Sequence, residues 1–280
     1  MELLDIRQGR DGDCFILSSI GSVLVSFNEF FINKIIKTDG KYIEFNYYIR
    51  NNDDFEKYKV KYEYIEDLYK ISKKNKNWVK KIEYAYIKTF YNNNINNLLN
   101  NGGVAYNVLE NLTGYKSKII INRLFDNKED LYYEICEERL NHKKWKNDFI
   151  KHLDILSNKY ISVIQNKIWN KLSNKNNIVV NTLNKIKIPS VIGIQGHYEK
   201  KNINGIIYGH LYSVIGLSLD DYNNKFIHVF NPHHNVEARK TYYDNINNTF
   251  ISDISIDNYG IWALDEIIVF VSDITYSEIL

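Results

Sequence analysis

Two short stretches, roughly 200 residues apart, hold the side chains able to do covalent chemistry. The first is Gln8-Gly9-Arg10-Asp11-Gly12-Asp13-Cys14-Phe15-Ile16-Leu17. A Gly/Asp turn leads into one cysteine, and the apolar residues after it (Phe15, Ile16, Leu17, Ile20, Val23, Leu24) recur at helical spacing. Cys14 is therefore expected to open a buried helix, with Ser18, Ser19, Gly21 and Ser22 letting neighbours approach closely. A helix N-terminus favours an anion and lowers a thiol's pKa, so Cys14 is a candidate nucleophile. A buried structural thiol carries the same local signature, and the second stretch is what separates the two readings.

That second stretch is Tyr208-Gly209-His210-Leu211-Tyr212-Ser213-Val214-Ile215-Gly216-Leu217, followed by Phe226-Ile227-His228-Val229-Phe230-Asn231-Pro232. Leu211, Ser213 and Ile215 alternate with Tyr212 and Val214, the period of a strand. Phe226 to Phe230 reads as its antiparallel partner, joined through the polar loop 220–224. A histidine at the start of one strand then falls beside an asparagine at the end of the other. A base lies next to the group that orients it, which is what a Cys–His–Asn site requires.

Taken with their order, these residues resemble the calpain-type branch of papain-like cysteine peptidases. The resemblance rests on the Gln-Gly-x-x-Gly-Asp-Cys run at 8–14, the Gly-His-x-Tyr-Ser-Val run at 209–214 and the Asn-Pro pair at 231–232. Three quieter segments agree: Trp78 to Tyr91, Leu109 to Gly114, and Ile261 to Ile267. The resemblance implies an α+β, papain-like two-lobed fold, with a helical N-terminal lobe and an antiparallel β C-terminal lobe. It implies Cys14 as nucleophile, His210 as base and Asn231 as orienter. Gln8 and the Cys14 N–H would donate to the oxyanion. Gly193 and Gly209 match glycines whose main chains bind an extended substrate, since a residue without a side chain lets two backbones meet.

The same resemblance raises calcium, one ion per lobe. Asp5, Glu237 and Asp244 fall where the family has carboxylate ligands, while Asn107 and Gly260 stand where it has further glutamates. Calcium prefers several oxygen donors including carboxylates, so the substitutions weaken both sites, and no cofactor is required by this reading. Two other departures concern the shield around the histidine. His233 follows Asn-Pro where a tryptophan is usual, and Phe15 replaces the tryptophan after the cysteine.

Stepping out to the elements that must carry these residues, the chain has 280 residues, 44% hydrophobic and 25% charged, with a net charge of +2. That length suffices for one or two cores. So small a charge argues against nucleic acid or an anionic membrane as partner. No apolar run reads as membrane-spanning, and no charged-then-apolar leader begins the chain. Cys14 and Cys136 form no disulfide framework, which fits a reducing compartment, cytoplasmic or a host cytosol reached by delivery. His197, His228, His233 and His234 are too irregularly spaced with the cysteines for a zinc site.

Three regions follow. Residues 1–125 form the N-terminal lobe, with strands at 42–49 and 58–64 and helices at 77–91 and 104–113. Residues 126–185 read as a helical insertion, with helices at 129–140, 145–156 and 160–172. Residues 186–280 form the β lobe, opened by a strand over 186–195. The short lead-in before residue 8 fits a module of a longer polypeptide.

The function these features support is endopeptidase cleavage of a protein or peptide, as a toxin, effector or autoprocessing module. Deamidation or transglutamination by the same triad, and a non-catalytic binding relative, are the alternatives. The Asn-rich, Lys-rich composition fits an AT-rich genome.

Overall fold

The computed structural model describes residues 1–8, 12–52, 54–64, 75–91, 103–122, 154–156, 161–173, 178–194, 204–233, 236–268 and 271–279. Helix α1 spans Cys14–Ile35, and its first half is buried on every side, as the unbroken run Phe15 to Leu24 requires. Asn28 interrupts it with φ 68° and ψ −179°, a strained conformation otherwise found almost only in glycine. By length and composition α1 is apolar enough to cross a membrane, contrary to the sequence reading, yet 61% of that window is buried inside the protein. The straight part before Asn28 is also only about 21 Å long, short of a bilayer's apolar core.

Around α1 lie a small sheet and two further helices that share its core. Strands β1 (Ile36–Asp39), β2 (Tyr42–Asn51) and β3 (Asp54–Glu63) make an antiparallel sheet. The expected hairpin is there, lengthened at its turn, where Asn52 takes φ 60°, and extended by β1. Helix α2 (Asn77–Tyr91) has the expected bounds, and α3 (Ala105–Thr113) ends on Gly114 in the left-handed conformation. Gly103 has a packing reason: a Cβ there would sit 2.3 Å from the ring of Phe15. Phe15 thus turns into the helical core, where it also meets Tyr91 edge-on.

The larger sheet is built from β4 (Ser117–Asn122), β5 (Asp154–Leu156), β6 (Asn184–Lys185), β7 (Ser190–Ile194), β8 (Leu211–Leu219), β9 (Lys225–Phe230), β10 (Glu237–Asp244), β11 (Thr249–Ile256), β12 (Tyr259–Ala263) and β13 (Val271–Ser277). Its order is β11-β10-β12-β9-β8-β7-β13-β4-β5, with β6 beside β8. All its pairings are antiparallel except β10–β12 and β4–β5.

One sequence expectation changes here. Residues 154–156 are not the end of a helix; they pair in parallel with β4, because three residues laid on a free sheet edge satisfy backbone groups that a helix end leaves open. Strand β4, to which the sequence assigned no element, pairs with β13 in the large sheet. Helix α4 (Ile161–Ser173) stands where the third insertion helix was expected, whereas 129–140 and 145–153 lie outside the described residues. Helix α5 (Leu264–Ile267) is the short turn after Trp262.

Two apolar clusters result. One gathers α1, α2, α3 and the β1–β3 sheet; the other gathers the inner faces of β7, β8, β9, β12 and β13 with α4 and α5. Val191, Ile215 and Phe230 belong to the first cluster although they lie on the large sheet, so that sheet also packs against the helical core.

Candidate active site

Cys14 is the first residue of α1, half-buried, with Asp13 in the cap position before it. The Asp13 carbonyl accepts the Ile16 and Leu17 N–H groups at 2.9 and 3.1 Å, starting the helix under the thiol. One turn further, Ser18 locks the helix to β8 in both directions. Its hydroxyl donates to the Leu211 carbonyl at 2.6 Å, and its own carbonyl accepts from the Ser213 hydroxyl at 2.7 Å. Gly21 allows this, since a Cβ there would lie 2.5 Å from Ser213 Oγ. Ser22 Oγ likewise accepts the Ser190 N–H from β7. The small residues of the first stretch are therefore spent on bringing the cysteine end of the helix against the strand that follows His210.

His210 and Asn231 come together through strand register. Ser213 of β8 faces Phe230 of β9, so the residue before one strand lies beside the residue after the other. His210 Nε2 and Asn231 Oδ1 are 2.9 Å apart. The His233 main-chain N–H also donates to Asn231 Oδ1, at 2.9 Å. A main-chain N–H can only donate, so that atom is the amide oxygen. It follows that Nε2 of His210 carries the hydrogen and Nδ1 is left bare to accept a proton. Burial pulls the pKa of His210 down to about 3, the charge of neighbouring His233 adds to this, and the Asn231 bond opposes it. At neutral pH the ring is an uncharged base.

The surroundings hold this pair. Tyr212 meets the His210 ring edge-on at 4.9 Å and the Trp262 ring at 4.8 Å, and its phenol oxygen accepts the Ile207 N–H at 2.8 Å. Burial raises the pKa of Tyr212, and the charge of Cys14 raises it further. His233 stands 4.7 Å from the His210 ring, centroid to centroid, in the place expected to leave the histidine uncovered.

Asn258 was not singled out by the sequence. Its Nδ2 donates to the carbonyls of Asn231 (2.7 Å) and His233, and its own carbonyl accepts the Asn231 N–H at 2.8 Å. It fixes the 231–233 turn from three sides, and in so Asn-rich a chain no composition or spacing marks it.

Gln8 is buried, and its N–H donates to the Pro232 carbonyl at 2.7 Å, pairing the chain before Cys14 with the chain after Asn231. The segment is clamped from the other side by α2. Glu83 accepts from Asn75 Nδ2 at 3.0 Å, and Asn75 Oδ1 accepts the Arg7 N–H. Gly209 is exposed, with φ 63°, and its N–H donates to Ile194. Gly193, by contrast, is interior to the sheet, paired with Leu211 on one side and Asp273 on the other. A Cβ on it would meet Asp273 Oδ2 at 2.6 Å. Its missing side chain serves strand packing, and an extended substrate has no open edge there, so the substrate role expected for Gly193 is corrected.

The calcium donors do not converge. Glu237 and Asp244 are the two ends of β10, about 23 Å apart at the rise of a strand, so no ion bridges them. Asp244 is engaged by its own turn, accepting from Asn247 Nδ2 at 2.6 Å and the Ile246 N–H at 2.9 Å. Asp5 accepts the Trp78 indole N–H at 2.9 Å and the Glu2 N–H at 3.0 Å; burial works to raise its pKa, but these bonds hold it below the usual range. Among the described residues no group of three His, Cys, Asp or Glu side chains is placed to hold a metal ion. The residues present do not fit the expected calcium sites.

A comparison with curated proteins returned no match. The family model described as calpain family cysteine protease matches residues 1–249, a span that takes in Cys14, His210 and Asn231. The helix-borne thiol, the buried imidazole and its amide partner are thus parts of a chain that belongs to the calpain family of cysteine proteases.

Proposed function

We propose that the chain is a cysteine endopeptidase with Cys14 as nucleophile, His210 as base and Asn231 as orienter, in a two-lobed, papain-like arrangement. The observation that carries this reading is the buried His210–Asn231 bond at 2.9 Å, held against the same strand to which the Cys14 helix is bonded. Nδ1 of neutral His210 takes the thiol proton as Cys14 Sγ attacks a peptide carbonyl. The oxyanion accepts hydrogen bonds from the Cys14 N–H and the Gln8 side-chain amide; loss of one such donor costs roughly 10²–10³-fold in rate. Imidazolium His210 then protonates the leaving amine, releasing the C-terminal product and a thioester. Water, deprotonated by His210, attacks the thioester and returns the free thiol and a carboxylic acid.

Burial of the imidazole makes the charged His210 costly, so the amide of Asn231 has a second task besides orientation. It accepts from Nε2–H and gains strength when the ring becomes imidazolium. The carbonyl of exposed Gly209 is offered to the main chain of an extended substrate.

Digestion of an unfolded generic protein, with mass spectrometry of the products, tests the reading. Cut chains that vanish in Cys14→Ala support it. Intact chains carrying glutamine-to-glutamate changes would instead assign the triad to deamidation, and an unreactive Cys14 toward iodoacetamide would leave only a binding role.

A further inference from the structure

We propose that His233 is a positioning residue that makes the site acid-silenced: neutral, it packs against His210 and leaves that ring free to accept the thiol proton, and protonated, it prevents His210 from doing so. The inference rests on the peptidase reading of Cys14 and His210, and adds to it a control that neither residue supplies.

The geometry is fixed by main chain. His233 N–H donates to Asn231 Oδ1, the oxygen that also receives His210 Nε2–H, while the His233 carbonyl accepts from Asn258 and its backbone bridges Gln8. These ties set the two imidazoles 4.7 Å apart and tilted by 49°. Two unit charges at that separation, in a partly buried site, oppose each other by on the order of 100-fold in a protonation equilibrium. The rings therefore take up protons as a coupled pair, one readily and the second reluctantly.

His233 is the first to charge, because it is only partly buried while His210 is enclosed. Burial holds the pKa of His233 below the ordinary histidine range, so it is neutral at neutral pH and gains its charge only on acidification. Among the described residues, those bonded to or stacked on His233 are Asn231, Asn258, Gln8 and His210, none of them a carboxylate. Gln8 and Asn258 are neutral amides. Asp257, next to Asn258, is engaged by Lys240, the Ser255 hydroxyl at 3.1 Å and the Tyr259 N–H at 2.8 Å. Arg7, next to Gln8, directs Nε to the Leu4 carbonyl at 3.0 Å. Tyr212, from β8, meets the His210 ring edge-on at 4.9 Å.

The experiment compares wild type with His233→Gln and His233→Trp, which keep the main-chain N–H, by the rate of Cys14 alkylation with iodoacetamide and by kcat/KM on an unfolded protein, from pH 4.5 to 8. Using two replacements, each checked by thermal unfolding, guards against one failing to fold. In the variants the acid limb of the alkylation profile moves to lower pH. On the acid limb their rate, relative to their own rate at pH 7.5, exceeds the wild-type ratio by at least about tenfold. A limb that stays in place or moves to higher pH overturns the proposal. If the alkylation limb shifts but no protein is cleaved, the peptidase reading fails and the coupling stands; if cleavage proceeds with unchanged limbs, the coupling fails and the peptidase reading stands.

Discussion

The helix that begins at Cys14 and the strand pair that ends at His210 and Asn231 carry the two halves of the candidate site by different means. The histidine and asparagine are neighbours because two adjacent strands, joined by a short turn, have a defined register. Their relation is nearly local, and the Asn258 and Gln8 bonds only tighten it. The cysteine's helix is tied to that strand pair from roughly 200 residues away in sequence, through Ser18, Gly21 and Ser22 against β8 and β7. One half is preorganised by its own hairpin; the other depends on how closely a helix can lie on a sheet. Activity should therefore be more sensitive than stability to changes along the α1–β8 seam.

The sharpest test removes the helix-borne half outright. Cys14→Ala lowers cleavage by at least about 10³-fold while leaving thermal unfolding close to wild type, since the half-exposed thiol contributes little to either core. Removing the hairpin-borne half is softer on rate and harder on the fold. Asn231→Ala lowers kcat/KM by on the order of 10²-fold and destabilises by about 1–3 kcal/mol, because the His210 Nε2–H and His233 N–H both lose their acceptor. Equal losses of stability and rate in the two variants would remove the contrast between the halves.

A third substitution addresses the seam itself. Gly21→Val drives a side chain into Ser213 Oγ and costs about 1–3 kcal/mol in denaturant unfolding, with a loss of activity larger than Cys14 exposure alone explains. Restoration of both by Ser213→Gly in the same chain would locate the damage at that contact.

The smallest effect is a slope. Burial lowers the pKa of His210 to about 3 and that of His228 to about 4. Above the ordinary histidine value both folded and unfolded chains are unprotonated there. As pH falls below about 6.5 only the unfolded chain takes up these protons, so stability drops by about 1.4 kcal/mol per pH unit for each ring. Glu110 works in the opposite sense. Burial raises its pKa to about 7, so the stability it contributes is present below the unfolded value near 4.5 and is lost as pH rises toward about 7. Glu110→Gln accordingly steepens the acid loss between pH 4.5 and 6.5 in urea titrations, and His228→Asn flattens it.

How far these residues could be read beforehand follows the same division. The α2 bounds, the α3 segment and the β8–β9 pairing were legible because their signals are periodic and local. Residues 154–156 were misread as helix because a lysine-rich apolar pattern gives no sign of a vacant sheet edge supplied by β4. Gly193 looked like a cleft glycine because a glycine's sequence is the same whether it receives a substrate or lets Asp273 lie across it. The carboxylates expected to hold calcium were chosen by position in a motif, and the strand that separates Glu237 from Asp244 was not yet known. His233 was legible as a departure, yet not as a neighbour of the ring it touches.

By itself the sequence determined which side chains are available for the chemistry, which elements carry them, and that one helix would start at the thiol, since composition and period act over a few residues. Only the tertiary structure decided that Asn258 and Gln8 pin the Asn231 turn, that His233 lies against His210, and that β4 pairs with β13. These depend on backbone groups finding partners far along the chain, and every residue carries the same N–H and C=O whatever its side chain.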